Sequence, residues 1–184
     1  MHIRSLEGKR TCILGFGREG QATLKALEKY APGGSITIAD KNEELRITNY
    51  EYQHGEHYLK NLDRFDVVIK SPGIPPSEEI INCKSPITNT TQIFLDSIAD
   101  SGATVIGVTG SKGKSTTASL IHAVLKIGGV RSRLIGNIGE PVLSYLKNAR
   151  PEDVFVYELS SFQLENLRRS PHIAVLLNIY PEHL

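Results

Sequence analysis

Residues 105–121 read VIGVTGSKGKSTTASLI. An apolar run without polar alternation, residues 104–110, is the pattern of a strand buried on both faces. It runs straight into a turn with two glycines, and a helix follows from about Lys114 to Lys126. Strands separated by helical segments imply a parallel sheet, so this stretch commits the chain to an α/β architecture.

The turn also carries chemistry. Gly110 and Gly113 let the backbone curl and aim its N–H groups inward, and the following helix adds the positive end of its dipole. Lys114 is placed to reach terminal phosphates, and the Ser115 hydroxyl suits a Mg²⁺ ion. The pattern GxxxxGK(S/T) wants a glycine five residues before Gly113, and Val108 stands there. The strict motif is therefore not met; the turn reads as a phosphate-binding loop with its glycines closer together, with an ordinary glycine-rich strand-to-helix turn as the alternative.

Two further buried-strand candidates follow, DVFVYE (153–158) and IAVLLN (173–178). Parallel strands deliver ligands to their carboxyl ends. Glu158 closes the first and Asn178 the second, with Glu182 and His183 in the next loop. Lys114, Ser115, Glu158 and His183 are thus expected on one side of one sheet, where a carboxylate near a phosphate suits Mg²⁺. Between the two strands, SSFQ offers a capping box from Ser160 to Gln163.

The first hundred residues show the same grammar. RTCILGF is a strand, residues 18 to about 30 have helical spacing, PGG at 32–34 stops that helix, and SITIAD ends a second strand at Asp40. A further strand, FDVVIKSPGIPP, runs into a Pro/Gly turn. The first turn is Gly15-x-Gly17-x-x-Gly20, with Asp40 twenty residues after Gly20. That is a dinucleotide fingerprint; it indicates a nucleotide-like ligand without specifying NAD. The boundary between the two α/β units is expected near residues 98–103.

Net charge is +1, so no global field draws the chain to nucleic acid or a membrane surface. Apolar residues make up 40% of the chain, enough for a core, yet no apolar run approaches the length that crosses a bilayer. The N-terminus has no apolar signal region, and Cys12 and Cys83 lack metal-ligand spacing, Cys12 reading as a core thiol. A cytoplasmic protein is the expectation, and a monomer.

GFGREG, SPGIPP, GNIG at 136–139, GSKGKST and above all ELSSFQLE at 158–165 together resemble the Mur ligase family. That family adds amino acids to the peptide of the bacterial cell-wall precursor, and its loop has the compressed form seen here. The resemblance spans almost the whole chain and points to the branch joining D-glutamate to UDP-N-acetylmuramoyl-L-alanine. It implies a Rossmann-like domain over residues 1–100 that holds the UDP substrate, then a P-loop NTPase-like α/β domain from 101, truncated at 184. It implies ATP on Gly110, Ser111, Lys112, Gly113, Lys114, Ser115 and Thr116, with Mg²⁺ at Ser115, Glu158 and His183. Substrate contacts are implied at Gly15, Phe16, Gly17, Arg18, Asp40, Lys41, Ser71, Pro72, Gly73, Asn137 and His183. Lys114, Glu158 and His183 are the implied catalytic residues.

The implied reaction makes an acyl phosphate from the substrate carboxylate and ATP, which the D-glutamate amine then attacks, in peptidoglycan synthesis and so in cell-wall biogenesis, shape and division. Where the family commonly has Asp before the His, this chain has Glu182. The family's modified lysine, adenine pocket and amino-acid-binding domain would lie beyond residue 184, so the 184-residue chain alone is expected to be inactive. Two alternatives stand beside the ligase: a non-catalytic nucleotide-binding module, and an NAD(P)-dependent oxidoreductase argued from GxGxxG and Asp40.

Overall fold

The computed structural model describes residues 1–45, 48–147, 149–165 and 167–181. The chain forms two compact units, Met1–Ile93 and Phe94–Leu184.

The first unit is built from β1 (Thr11–Leu14), α1 (Arg18–Tyr30), β2 (Ile36–Asp40), β3 (Glu51–His54), β4 (Val67–Lys70), the single turn α2 (Glu78–Ile81) and β5 (Ile87–Thr88). α3 (Thr90–Ser97) then leads across the boundary. The strands form one parallel sheet in the order β3-β2-β1-β4-β5. All four residues of β1 and of β4 are buried, as central strands covered on both faces must be. Cys12, Leu14, Ala39 and Val68 pack with Leu62 and Phe65 in one core cluster. Cys12 is a core thiol as its apolar context predicts, and burial pushes its pKa up to about 12. The strand order reverses between β1 and β4, and the loops that leave this switch point are GFGREG and SPGIPP. Crevices at such points are where open α/β sheets take ligands.

Glu19, in the first turn of α1, is mostly buried, and its Oε2 has no hydrogen-bond partner among the described residues. Burial raises its pKa, with the Thr90 hydroxyl and then the Arg18 charge pulling the other way. A carboxyl whose folded pKa is raised contributes its stability below the unfolded value, about 4.3 for Glu, and loses it as pH rises through the folded value. Glu19→Gln is therefore expected to gain stability relative to wild type as pH rises from about 4 toward neutrality. Urea midpoints across that range test this; parallel curves would remove Glu19 as the cause.

The second unit contains β6 (Thr104–Thr109), α4 (Lys114–Ile127), β7 (Arg131–Gly136), β8 (Asp153–Glu158), α5 (Ser161–Leu164) and β9 (Ile173–Leu176). Its sheet is also parallel, ordered β7-β8-β6-β9. Val108, Val156 and Ala118 of α4 are fully buried, with Ile121, Leu125 and Leu134 packed against them. Phe94 stands edge-on to Phe155 and Tyr157, at 5.2 and 6.0 Å between ring centres, which ties the second half of α3 into this unit. The Ser160 capping box forms in full.

β9 has the apolar composition of a buried strand, but its faces are largely uncovered in this chain. Among the described residues it pairs only with β6, and Ile173 and Leu176 are 51% and 61% exposed. It is an edge strand, and its apolar run reads alike whether or not anything covers it. Leu120, Val124 and Ile127 of α4 are exposed too, on the helix face turned from the sheet.

β7 begins with Arg131 and Arg133, which both meet the wholly buried Asp153 of β8, Nε to Oδ1 at 2.6 and 3.6 Å. The Arg150 amide donates to the same carboxylate, and the Arg133 guanidinium lies over the Tyr145 ring. Among the described residues no helix is long and apolar enough to cross a membrane.

Candidate nucleotide site

β6 ends at Thr109, and the loop to α4 is only four residues long. Gly110 has φ +138° and Gly113 has φ +85°, both in the region that favours glycine. At Gly110 a Cβ would lie 3.0 Å from the Asn178 carbonyl oxygen. Gly113 caps α4, whose first turn is Lys114, Ser115 and Thr116. The amides of that turn have no acceptor within the helix and lie at the positive end of a 14-residue helix. Lys114 folds back on its own loop, its Nζ donating to the carbonyls of Gly110 (2.6 Å) and Ser111 (2.9 Å). An ammonium held by carbonyls over helix-start amides is a cation waiting beside an anion site.

The Ser111 and Lys112 amides go elsewhere. Ser111 N–H donates to the Asn178 carbonyl at 3.0 Å. Lys112 N–H donates to Asn178 Oδ1 at 2.9 Å, and Asn178 Nδ2 returns a bond to the Lys112 carbonyl at 3.0 Å. The Ser111 hydroxyl accepts from Tyr180 N–H (2.8 Å) and donates to the Tyr180 carbonyl (3.1 Å). The sequence placed Asn178 at this edge without indicating that it grips the loop.

Glu158 ends β8 in register with Val108 of β6 and Gly136 of β7. It is 3% exposed, yet its Oε2 has no hydrogen-bond partner among the described residues. A buried carboxylate oxygen without a partner is costly, and a cation would satisfy it. Among the described residues no three His, Cys, Asp or Glu side chains form a metal cage. Mg²⁺ does not need one: it keeps several waters and takes one or two protein ligands plus substrate phosphates. The residues present therefore fit a phosphate-bound Mg²⁺. Asn137 is exposed next to this edge, its N–H donating to the Glu158 carbonyl at 3.3 Å. Glu182 and His183 lie outside the described residues.

In the first unit, the Phe16 amide donates to Asp40 Oδ2 at 2.6 Å and the Asn42 amide to Oδ1 at 2.8 Å. Asp40 thus braces the glycine loop against the end of β2. The Ser71 hydroxyl donates to the Gly15 carbonyl at 3.0 Å, joining SPGIPP to the same loop. Gly17, Arg18, Lys41 and Gly73 line the exposed side: Gly17, Arg18 and Lys41 are solvent-exposed, and a Cβ at Gly17 or Gly73 would meet nothing within 4 Å. Pro72 follows Ser71 in the turn closed by Ile74 N–H on the Ser71 carbonyl.

Two parallel sheets, one carrying a glycine-rich strand-to-helix loop with a buried, partnerless carboxylate oxygen on the next strand, define an α/β protein with a candidate phosphate-binding edge. Residues 108–184 match the Mur ligase middle domain. The second unit thus carries the family's middle domain, and the chain as a whole is similar in sequence to Mur ligases. Over its whole length it is 37% identical to UDP-N-acetylmuramoyl-L-alanine--L-glutamate ligase of Xanthomonas oryzae pv. oryzae, covering 42% of that protein. Over 98% of its length it is 34% identical to UDP-N-acetylmuramoylalanine--D-glutamate ligase of Acetivibrio thermocellus, covering 41% of it. The D-glutamate ligase of Clostridium acetobutylicum is 35% identical over 99% of this chain, which covers 41% of it. The chain thus spans about two fifths of the length of these curated relatives. The crystal structure of UDP-N-acetylmuramate:L-alanyl-gamma-D-glutamyl-meso-diaminopimelate ligase from Neisseria meningitides shares the fold, with a TM-score of 0.51 at 21% identity over 95% of this chain and 62% of that one.

Proposed function

We propose that this chain is the substrate- and phosphate-binding part of an ATP-dependent ligase that joins glutamate to UDP-N-acetylmuramoyl-L-alanine in peptidoglycan precursor synthesis. In this reading residues 1–100 hold the UDP substrate and residues 101–184 hold the triphosphate of ATP. The observation that carries it is the buried, partnerless Glu158 Oε2 on the strand next to the phosphate loop. Unlike the partnerless Glu19 oxygen, it lies at the strand end beside the phosphate loop, where a phosphate-bound cation would satisfy it.

Phosphoryl transfer asks a protein for charge neutralisation and in-line positioning more than for a covalent nucleophile. The free amides of Lys114, Ser115 and Thr116 take phosphate oxygens, and the Lys114 ammonium leaves its loop carbonyls for them. Glu158, the Ser115 hydroxyl and His183 would hold Mg²⁺, which supplies neutralisation of the phosphate charge. The substrate carboxylate attacks the terminal phosphorus and ADP leaves. The glutamate amine then attacks the acyl carbon and expels phosphate. Asn137 and His183 orient the UDP-sugar, as do the glycine loop, Lys41 and the SPG turn of the first unit.

D-glutamate is the amino acid implied by the sequence resemblance and named for the Acetivibrio and Clostridium relatives. L-glutamate is a second reading, favoured by the name of the Xanthomonas relative. The full-length protein assayed with each enantiomer, UDP-N-acetylmuramoyl-L-alanine and Mg·ATP decides between them by product mass.

The ligase reading itself is tested on the full-length protein by calorimetry. UDP-N-acetylmuramoyl-L-alanine and Mg·ATP are expected to bind and NADH is not. Glu158→Gln keeps shape and removes charge, so ATP binding is expected to need roughly tenfold or more additional Mg²⁺, in the range seen for altered metal sites. NADH binding tighter than the UDP-sugar would favour an oxidoreductase. An unchanged Mg²⁺ requirement would make Glu158 structural.

A further inference from the structure

We infer that Asn178 is a positioning residue for the phosphate loop, holding the compressed arch open from outside before any nucleotide arrives. The inference rests on the nucleotide reading of the loop. Three bonds join Asn178 to the loop. Its carbonyl takes Ser111 N–H, its Oδ1 takes Lys112 N–H, and its Nδ2 donates to the Lys112 carbonyl. The Tyr180 backbone adds two more through the Ser111 hydroxyl. Gly110 lies bare against the Asn178 backbone, where a Cβ would come within 3.0–3.1 Å of the Asn178 oxygen and nitrogen. Leu177 N–H on the Thr109 carbonyl starts this ladder, so the β9 exit runs alongside the first half of the loop.

Two consequences follow. First, the amides of Ser111 and Lys112 are already committed, so phosphate oxygens are met by the amides from Gly113 onward and not by the whole loop. Second, a loop whose shape is fixed in advance does not have to be ordered at binding, and that cost otherwise weakens affinity. The short spacing explains why an outside brace is needed: four residues between β6 and α4 leave little room for the loop to bond to itself.

The test compares wild type, Asn178→Ala, Asn178→Asp and Lys114→Ala in the full-length protein, with Mg·ATP as the probe. Binding is read by calorimetry and amide exchange at Lys112 by NMR, with thermal midpoints measured alongside. Asn178→Ala is expected to weaken Mg·ATP roughly tenfold, the equivalent of about one net hydrogen bond, and to speed Lys112 exchange by a similar factor. A purely structural role would lower the midpoint while the folded protein kept wild-type affinity. Asn178→Asp keeps the acceptor for Lys112 N–H and loses the donor to its carbonyl. Lys112 should stay protected there while affinity falls. Lys114→Ala should lose affinity with Lys112 still protected. Wild-type affinity in either folded Asn178 variant overturns the inference, as does an affinity loss in Asn178→Ala with Lys112 still protected. If wild type does not bind Mg·ATP, or Lys114→Ala binds as well as wild type, the nucleotide reading falls and takes this inference with it.

Discussion

Lys114→Ala is expected to lower ATP-dependent glutamate ligation by the full-length protein roughly a hundredfold or more, the usual scale for losing one stabiliser of transition-state charge. The side chain is half-buried, and its ammonium sits over the loop, donating to the Gly110 and Ser111 carbonyls at 2.6 and 2.9 Å. In the proposed reading, its loss takes a positive charge away from the terminal phosphate at the moment charge redistributes. The fold should survive. The two lost hydrogen bonds join the side chain to carbonyls at a solvent-facing loop, and such bonds are worth on the order of 1 kcal/mol each. Lys114→Arg should recover only part of the rate, because a planar fork does not replace a compact point charge. Phosphate release and product mass, measured beside a thermal midpoint, check this. Near-wild-type ligation by a well-folded Lys114→Ala variant would remove Lys114 from the mechanism.

What could be read from the sequence follows from how local each signal is. β1, β2, β4, β6 and β8 are apolar runs that end at glycine, proline or a carboxylate, and they announce themselves. β3 does not, because Glu51–His54 is a half-exposed edge with no apolar alternation. β5 is two residues long. β7 opens on two arginines, and it makes sense only once the buried Asp153, about twenty residues on, is seen to pair with both of them.

The candidate site divides in the same way. Glycines, Lys114 and Ser115 cluster within one turn, so their chemistry is legible at once. Glu158 could be placed at the edge by parallel topology, but its partnerless oxygen is a fact of packing. The Asn178 brace joins residues 66 apart, and no spacing rule encodes it. Asp40 was legible as a strand-end acid. Its bonds to the Phe16 and Asn42 amides, which make it a brace for its own loop, were not.

The glycines of GFGREG should respond to one and the same substitution in opposite ways. A Cβ on Gly20 would stand 2.2 Å from the Gly15 carbonyl oxygen and 3.1 Å from its carbon. Both atoms are backbone, so no rotamer change relieves the clash, and α1 would have to move off the loop. Overpacking of this kind costs about 1–3 kcal/mol or more. In a unit of this size each kcal/mol moves the midpoint by about 4–8 °C, so Gly20→Ala should lower that of the first unit by roughly 5–20 °C. Gly17 is different. Its φ is −70°, which alanine adopts readily, and a Cβ there meets nothing within 4 Å. Gly17→Ala should therefore leave stability within about 1 kcal/mol of wild type. Its methyl would instead occupy the exposed face that the proposed reading gives to the substrate's phosphates, so UDP-N-acetylmuramoyl-L-alanine binding should weaken at least tenfold while the fold holds. Thermal unfolding followed by circular dichroism, together with calorimetric titration of both variants, separates the two effects. An unshifted midpoint in Gly20→Ala would contradict the close approach of helix and loop. Undiminished binding in a stable Gly17→Ala variant would move the UDP-substrate away from this turn altogether.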